Sequence, residues 1–328
     1  MRNTAPEALA QRPPEIAARP TIPVACGVLV NERGEVLIAQ RPAGKIAAGL
    51  WEFPGGKIEA GESARQALER ELREELGIAL RQAQPLIRFR HEYRDRIVIL
   101  DTWRVDGYES EPHPHEGQRF AWRAPGDLGD LACLPTVAPI LRALRAPPHY
   151  VFTPPQAPER FICAGLERLP AGSLLRLRLP ALDDAAYAQL AARIAPQARA
   201  LGLKLMLDRD PALVAALGAA GWHASGRALR ALRDWPLPRE FGFAASVHDA
   251  EDIERAAALG ADALVLGPVQ ATASHPQSTG LGWARFQALR GLAPQTVYAI
   301  GGLGPERLAE ARQHGAQGVA GISAYWRC

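Results

Sequence analysis

The chain has 328 residues, enough for about two domains of ~100–200 residues each. Hydrophobic residues make up 48% and charged residues 22%, and 38 Lys and Arg against 35 Asp and Glu leave a formal charge of only +3. Values so near the globular average exclude a chain held to polyanions mainly by net charge, so a nucleic-acid duplex is not an expected partner. Cys26, Cys133, Cys163 and Cys328 are too widely spaced for a zinc pattern and fit a reducing cytoplasm. No run approaches ~18 uninterrupted apolar residues, and the first twenty residues are proline-broken and charged. The expectation is a soluble cytoplasmic protein with a flexible tail over 1–20 and no membrane partner.

From Ile22, IPVACGVLVN, a turn at ERGE and VLIAQR read as two strands joined in a hairpin. After 51–78 come two more extended stretches, PLIRFRHEY and RIVILDTWRV, around a charged RD turn, and a further strand near Phe120 and Trp122. In TVAPILRALRA, Ile140, Leu141 and Leu144 have helical spacing, and the prolines of APPH at 146–149 mark a boundary. Domains are expected over 21–146 and 150–328. Past Tyr150, short apolar strands alternate with alanine-rich helical stretches: YVFTP, LLRLRLP, LKLMLD, GWHAS, FGFAAS, ALVLGPV, VYAIGG and GVAGISA. Eight such units predict a parallel (β/α)8 barrel. At ~22 residues per unit the helices must be short, or one missing.

The segment GGKIEAGESARQALERELREELGI carries the chemistry. Ser63 and Gln66 form a capping box and Gly77 is placed to end the helix, which predicts a helix over Ser63–Leu76. At about 100° per residue, Glu71, Glu74 and Glu75 fall within one arc, while Leu68, Leu72 and Leu76 form a stripe about 110° away. Three carboxylates so close repel unless a hard dication neutralises them through oxygen ligands. The alternative is a solvated helix with ion pairs such as Glu69–Arg73 and Arg70–Glu74.

The spacing decides between them. Gly56, Glu62, Arg70, Glu71, Leu72, Glu74, Glu75, Gly77 and Ile78 match GX5EX7REUXEEXGU, the Nudix box, at every specified position, a chance match on the order of one in a billion per window. With IPVACGVLVNERGEVLIAQR, GLWEFPGGKIEAGE and HEGQ, residues 22–145 resemble the MutT branch of the Nudix hydrolases. The resemblance implies an α/β/α sandwich that uses Mg2+, with Mn2+ as a substitute, to split a nucleoside triphosphate by attack of water at phosphorus. It implies Glu71, Glu74, Glu75, Glu116 and the Gly55 carbonyl as metal ligands, and Glu71 or Glu116 as the base. Arg70 would orient the glutamates and Arg41 reach substrate phosphate. Phe53, Trp51 and Trp103 are aromatic residues that either stack on a base or pack in the core. MutT-type enzymes convert 8-oxo-dGTP to its monophosphate in nucleotide-pool sanitation, which serves DNA repair and replication fidelity. Where MutT proteins carry a base-reading asparagine, this chain has Val137, which offers no hydrogen bond.

Residues 150–328 resemble thiamine phosphate synthase and its thiazole tautomerase relative, through GFAASVHDAEDIERAAALGADALVLGPVQATASHP, YAIGG and GVAGISAYW. The resemblance implies a phosphate site at Gly301, Gly302, Ile322 and Ser323, and a phosphorylated thiazole or thiamine-like ligand. The catalytic positions depart from the pattern. Arg176, Arg178 and Pro180 stand for Gln-x-Arg-x-Lys, Ser225–Ala228 for the acidic loop, His275 for a lysine, and Pro268 for the tautomerase histidine. His223, His248 and His275 read as packing or loop histidines. The expectation is 8-oxo-dGTP hydrolysis at the front and a degenerate synthase barrel behind. The alternatives are a bifunctional protein that also makes thiamine phosphate, or a hydrolase of thiamine-related pyrophosphates whose barrel binds a phosphate ligand.

Overall fold

The computed structural model describes residues 19–115, 117–271 and 279–326. Most of the expected 1–20 tail, and the candidates Glu116 and His275, lie outside the described residues.

Strand β1 (Thr21–Leu29) is the centre of the first domain. It pairs in parallel with β6 (Ile97–Glu109) and antiparallel with β4 (Gly55–Lys57), in a sheet ordered β4-β1-β6-β5 with β5 (Ala79–Glu92) at its edge. A second sheet, ordered β3-β2-β7, joins β3 (Trp51–Glu52), β2 (Val36–Gln40) and β7 (Phe120–Arg123). Helices α1 (Ala64–Leu76) and α2 (Val137–Arg145) cover opposite faces. Because strand side chains alternate, β1 serves both layers: Ala25 and Leu29 pack with Leu68, Leu72 and Leu76 of α1, whereas Cys26 and Val28 pack with Val137 and Ile140 of α2. The result is the expected α/β/α sandwich.

The expected hairpin of the first two strands is corrected. Its turn forms, with Asn31 Oδ1 accepting from the backbone N–H of Arg33 and Glu35 at 3.0 and 2.9 Å, but only an isolated Val30–Val36 bridge follows and the strands enter different sheets. Both strands are buried on two faces and take better-matched neighbours, which turn chemistry alone does not specify. The two extended stretches expected around the RD turn are β5 and β6, which pair antiparallel and run longer than expected.

Helix α1 has the specified ends. Ser63 caps it with both halves of the capping box present, and Gly77 closes it at φ 67°. Glu69 pairs with Arg65 at 3.1 Å, not with Arg73, while Arg70–Glu74 forms at 3.3 Å.

Only residues 146–148 separate α2 from β8 (His149–Phe152). With β9 (Leu174–Arg176), β10 (Lys204–Leu207), β11 (Gly221–Ala224), β12 (Gly242–Val247), β13 (Ala263–Leu266), β14 (Thr296–Ile300) and β15 (Gly318–Gly321), β8 closes an eight-stranded parallel barrel. Its interior is filled by Tyr150, Phe152, Met206, Val265 and Tyr298, a packed core and not a pore. Outside lie α3 (Glu159–Leu166), α4 (Asp184–Ala200), α5 (Ala212–Leu217), α6 (Gly226–Ala231), α7 (Ala250–Ala258), α8 (Gly282–Arg290) and α9 (Leu308–Gln313). Three of these have six residues, and among the described residues none follows β15, so the economy of length is met by both expected means. Among the described residues no helix is long and apolar enough to cross a membrane.

The stripe of α1 is what fastens the carboxylate helix to the sheet. Leu72, fully buried, is expected to cost ~2–5 kcal/mol as Leu72→Ala, and the exposed cap ~1 kcal/mol as Ser63→Ala, in urea unfolding.

Candidate active site

Two glycines bring the loop at β4 against the carboxylate helix. At Gly55, φ is 140° and a Cβ would lie 2.2 Å from the Ala25 carbonyl oxygen; at Gly56 a Cβ would lie 2.3 Å from the Glu71 carboxylate. Glycine is therefore required for this approach. The Gly55 N–H then donates to Glu75 Oε2 at 3.0 Å.

Arg70 is the hub of the helix's charged face. Its Nε and Nη2 donate to the two Glu62 oxygens at 2.9 and 3.0 Å, its Nη1 to Glu71 Oε1 at 2.8 Å and Glu74 Oε2 at 3.3 Å, and Nη2 also reaches the Lys57 carbonyl at 3.0 Å. A planar guanidinium can serve three carboxylates at once in this way. The pairing holds the Glu62 carboxyl down to about 2 and raises Arg70 above its ordinary range.

A cleft of about 800 Å3 opens beside the helix. Glu71, Glu75, Gly55 and Gly56 form one wall, Arg41 and Glu52 another, and the β5–β6 hairpin tip, Tyr93 to Arg96, a third. Arg41 donates to Glu52 and, through Nε, to the Ile46 carbonyl at 2.7 Å. Burial pushes the Glu52 carboxyl up, against the pull of Arg41. Arg96 lies over the Tyr93 ring, 4.8 Å from its centroid.

Glu71, Glu75, Gly55 and Arg41 thus share the cleft. Glu74 is half exposed beside it, tethered to Arg70. Phe53 and Trp51 are buried in the core on the α2 side, and Val137 opens α2 from within the same core. Trp103 packs, partly buried, on the α1 side. Glu52, Thr136 and the 93–96 tip also line the cleft and were not singled out in the sequence. Glu52 stood in LWEFPGG next to the box, whereas the tip carried no signal beyond a charged turn. Among the described residues no group of three His, Cys, Asp or Glu side chains is arranged to hold a metal ion. The donors on the cleft wall are carboxylate oxygens, the chemistry a hard dication takes.

The NUDIX domain family matches residues 25–143, and the thiamine monophosphate synthase family matches residues 149–325. CTP pyrophosphohydrolase of Escherichia coli is 41% identical over 118 residues, 36% of this chain and 87% of that protein. Two 8-oxo-dGTP diphosphatases are also similar. The one from Haemophilus influenzae is 43% identical over 101 residues, 31% of this chain and 74% of its own length; that from E. coli is 37% identical over 122 residues, 37% and 95%.

The chain belongs to both families.

In the thiamine monophosphate synthase part, the polar groups lie inside the barrel and at the C-terminal ends of its strands. Arg176 holds Asp208 through Nε and Nη2 at 3.1 and 3.0 Å, with both side chains buried. His223 is fully buried between the Tyr150 hydroxyl at 2.7 Å and Ser246 Oγ at 2.8 Å. Burial, with Arg176 and Arg178 nearby, holds it well below the usual histidine range. His248 Nδ1 lies 2.6 Å from the Gly267 carbonyl. Gly301 (φ 109°) and Gly302 (φ 68°) make a turn against Pro268 and Gln270 that only glycine fits. Ile322 and Ser323 line a shallow groove with Pro154, Phe161 and Trp326.

The Glu62 pair sets a pH test. Because its folded value lies below the ordinary 4.5, its contribution is complete above that value and is lost as pH falls through about 2. The stability difference between wild type and Glu62→Gln is therefore expected to stay level above pH ~5 and to close between ~4.5 and ~2, read by urea unfolding at each pH.

Proposed function

We propose that the Nudix domain is a divalent-metal-dependent pyrophosphohydrolase that converts a nucleoside triphosphate to its monophosphate and pyrophosphate. The favoured substrate is 8-oxo-dGTP, and the role is nucleotide-pool sanitation in the cytoplasm. The observation that carries the reading is the placement of Glu71 and Glu75 of a complete box on the wall of the cleft, against a glycine loop. Glu71, Glu74 and Glu75, with Glu116 and the Gly55 carbonyl, would hold Mg2+ or Mn2+. The bound ion would neutralise the polyphosphate and acidify water. Glu71, aimed by Arg70, takes the proton of the attacking water. Arg41, anchored by Glu52, stands where it can turn to a phosphate oxygen.

Base choice has a second reading. Val137 is buried and without a hydrogen-bonding group, so recognition falls to Thr136, Glu52 and the 93–96 tip. Together with the similarity to a CTP pyrophosphohydrolase, this supports a cytidine nucleotide as the alternative. For the barrel we propose phosphate-ligand binding at Gly301, Gly302, Ile322 and Ser323 without synthase chemistry. Asp208 is engaged by Arg176, and the acidic loop of the family reads Ser225 to Ala228.

Purified protein with Mg2+ is expected to release pyrophosphate fastest from 8-oxo-dGTP in a panel with dGTP, CTP and thiamine diphosphate. EDTA should abolish turnover, and Glu71→Gln should lower kcat by ~10²–10⁴-fold. Faster turnover of CTP would favour the second reading; equal slow turnover of all four would reject both substrates. Calorimetry with thiazole phosphate is expected to give heat that Ser323→Asp removes, and no heat at millimolar ligand would leave the barrel a structural role.

A further inference from the structure

We propose that the two domains form one cooperatively folded unit, clamped where Gln317 of the barrel holds Leu86, a bulged residue on the edge strand of the Nudix sheet.

The bulge is seen in the ladder. Pro85 pairs with Trp103 and Ile87 with the adjacent Thr102, so Leu86 is an extra residue with no partner on β6. A bulge of this kind frees a backbone group from the ladder. The Leu86 carbonyl accepts from Gln317 Nε2 at 2.8 Å. Gln317 is itself buried and both polar atoms of its amide are engaged: Nε2 also donates to the Gly315 carbonyl at 3.2 Å, and Oε1 accepts from the Val297 N–H at 2.6 Å. The Gln317 N–H donates to the Val297 carbonyl at 2.9 Å, so the side chain is presented from a doubly fastened base on β14.

Beneath it, the buried Arg290 braces the same loop, its Nε donating to the Gly315 carbonyl at 2.8 Å and its Nη1 to the Ala293 carbonyl at 2.5 Å. Burial pushes this guanidinium down to about 9, and burying a charge without a carboxylate partner among the described residues costs stability. The connecting segment is pinned as well, since the Pro148 carbonyl accepts from the Val319 N–H at 3.0 Å. A residual gap of about 60 Å3 lies between the domains beside Pro85, Leu144 and Arg312, room for a few water molecules at most.

The joint covers an otherwise open sheet edge, the position at which an unpaired strand invites foreign pairing. Opening it would break the Gln317–Leu86 hydrogen bond and unpack the buried Gln317 amide, a loss of about tenfold in the equilibrium. Independent unfolding of either domain is therefore suppressed.

Hydrogen exchange of the full-length protein in a denaturant series tests this by comparing the most protected amides of β6 with those of β12. In the wild type both are expected to lose protection at one midpoint. Gln317→Glu keeps the size but removes the donor to Leu86 and sets a charge against a carbonyl; it is expected to split the midpoints, with β6 exchanging at least about tenfold faster than β12. Two separate midpoints in the wild type overturn the proposal. So does a Gln317→Glu protein whose domains still open together at the wild-type midpoint. If that variant does not fold, Gln317→Asn, too short to span the joint, is read in the same way, and the wild-type comparison decides by itself.

Discussion

Everything at the front of this protein depends on one guanidinium. A helix that displays Glu71, Glu74 and Glu75 on neighbouring turns concentrates negative charge, and Arg70 offsets it from within the same helix while drawing in Glu62 from the preceding loop. The arrangement does more than neutralise. By spending Nη1 on Glu71 and Glu74 and leaving Glu75 to the Gly55 N–H, it points the carboxylates in different directions. Two face the cleft and one remains at its margin. An ordinary run of i,i+4 ion pairs would lie flat on the helix and leave no oxygens turned toward a ligand.

The glycines are the other half of the same device. A side chain at position 55 would collide with β1, and one at 56 with the Glu71 carboxylate. The loop can therefore approach only as bare backbone, which sets the Gly55 amide against the Glu75 carboxylate. The leucine stripe of α1 then makes the spacing permanent, because Leu68, Leu72 and Leu76 are fully buried against β1 and β2.

These features were legible in the sequence because each is local. Capping, the 3.6-residue period and the glycine spacing lie within 24 consecutive residues, and the helix ends where Ser63 and Gly77 dictate. The eight barrel strands were legible for a related reason: short apolar runs between turns recur, and a parallel strand buried on both faces has little choice of composition. Strand partners were not legible. Asn31 builds the turn expected of a hairpin, yet β1 and β2 part company, since β1 takes β6 and β2 takes β7 as a neighbour, each more than 70 residues on in the chain. Arg41 in the cleft's second wall was legible beside the box motif, but its partner Glu52 and the third wall were missed for the same reason. Glu52 and the tip at 93–96 meet Glu71 only after two sheets have formed, and nothing near them in the chain announces it. Phe53 went the other way, from candidate base-stacker to core residue, because an aromatic beside a motif looks alike in either role until burial is known.

The joint between the domains constrains what the fusion can do. Gln317, Val297 and Pro148 lie at the N-terminal ends of β15, β14 and β8, so the Nudix sheet docks on the face of the barrel where residues serve stability. Gly301, Gly302, Ile322 and Ser323 lie at the opposite, C-terminal ends of β14 and β15, where barrels place their chemistry. The two candidate sites are thus separated by the length of a packed barrel whose interior Tyr150, Phe152 and Tyr298 fill. A product of the first site cannot pass through that core to the second. What joins the two is a strand: β5 runs from the bulge held by Gln317 to the hairpin tip at the cleft, and β6 returns to pair with β1. The strand that the barrel grips is therefore the strand that carries one wall of the cleft.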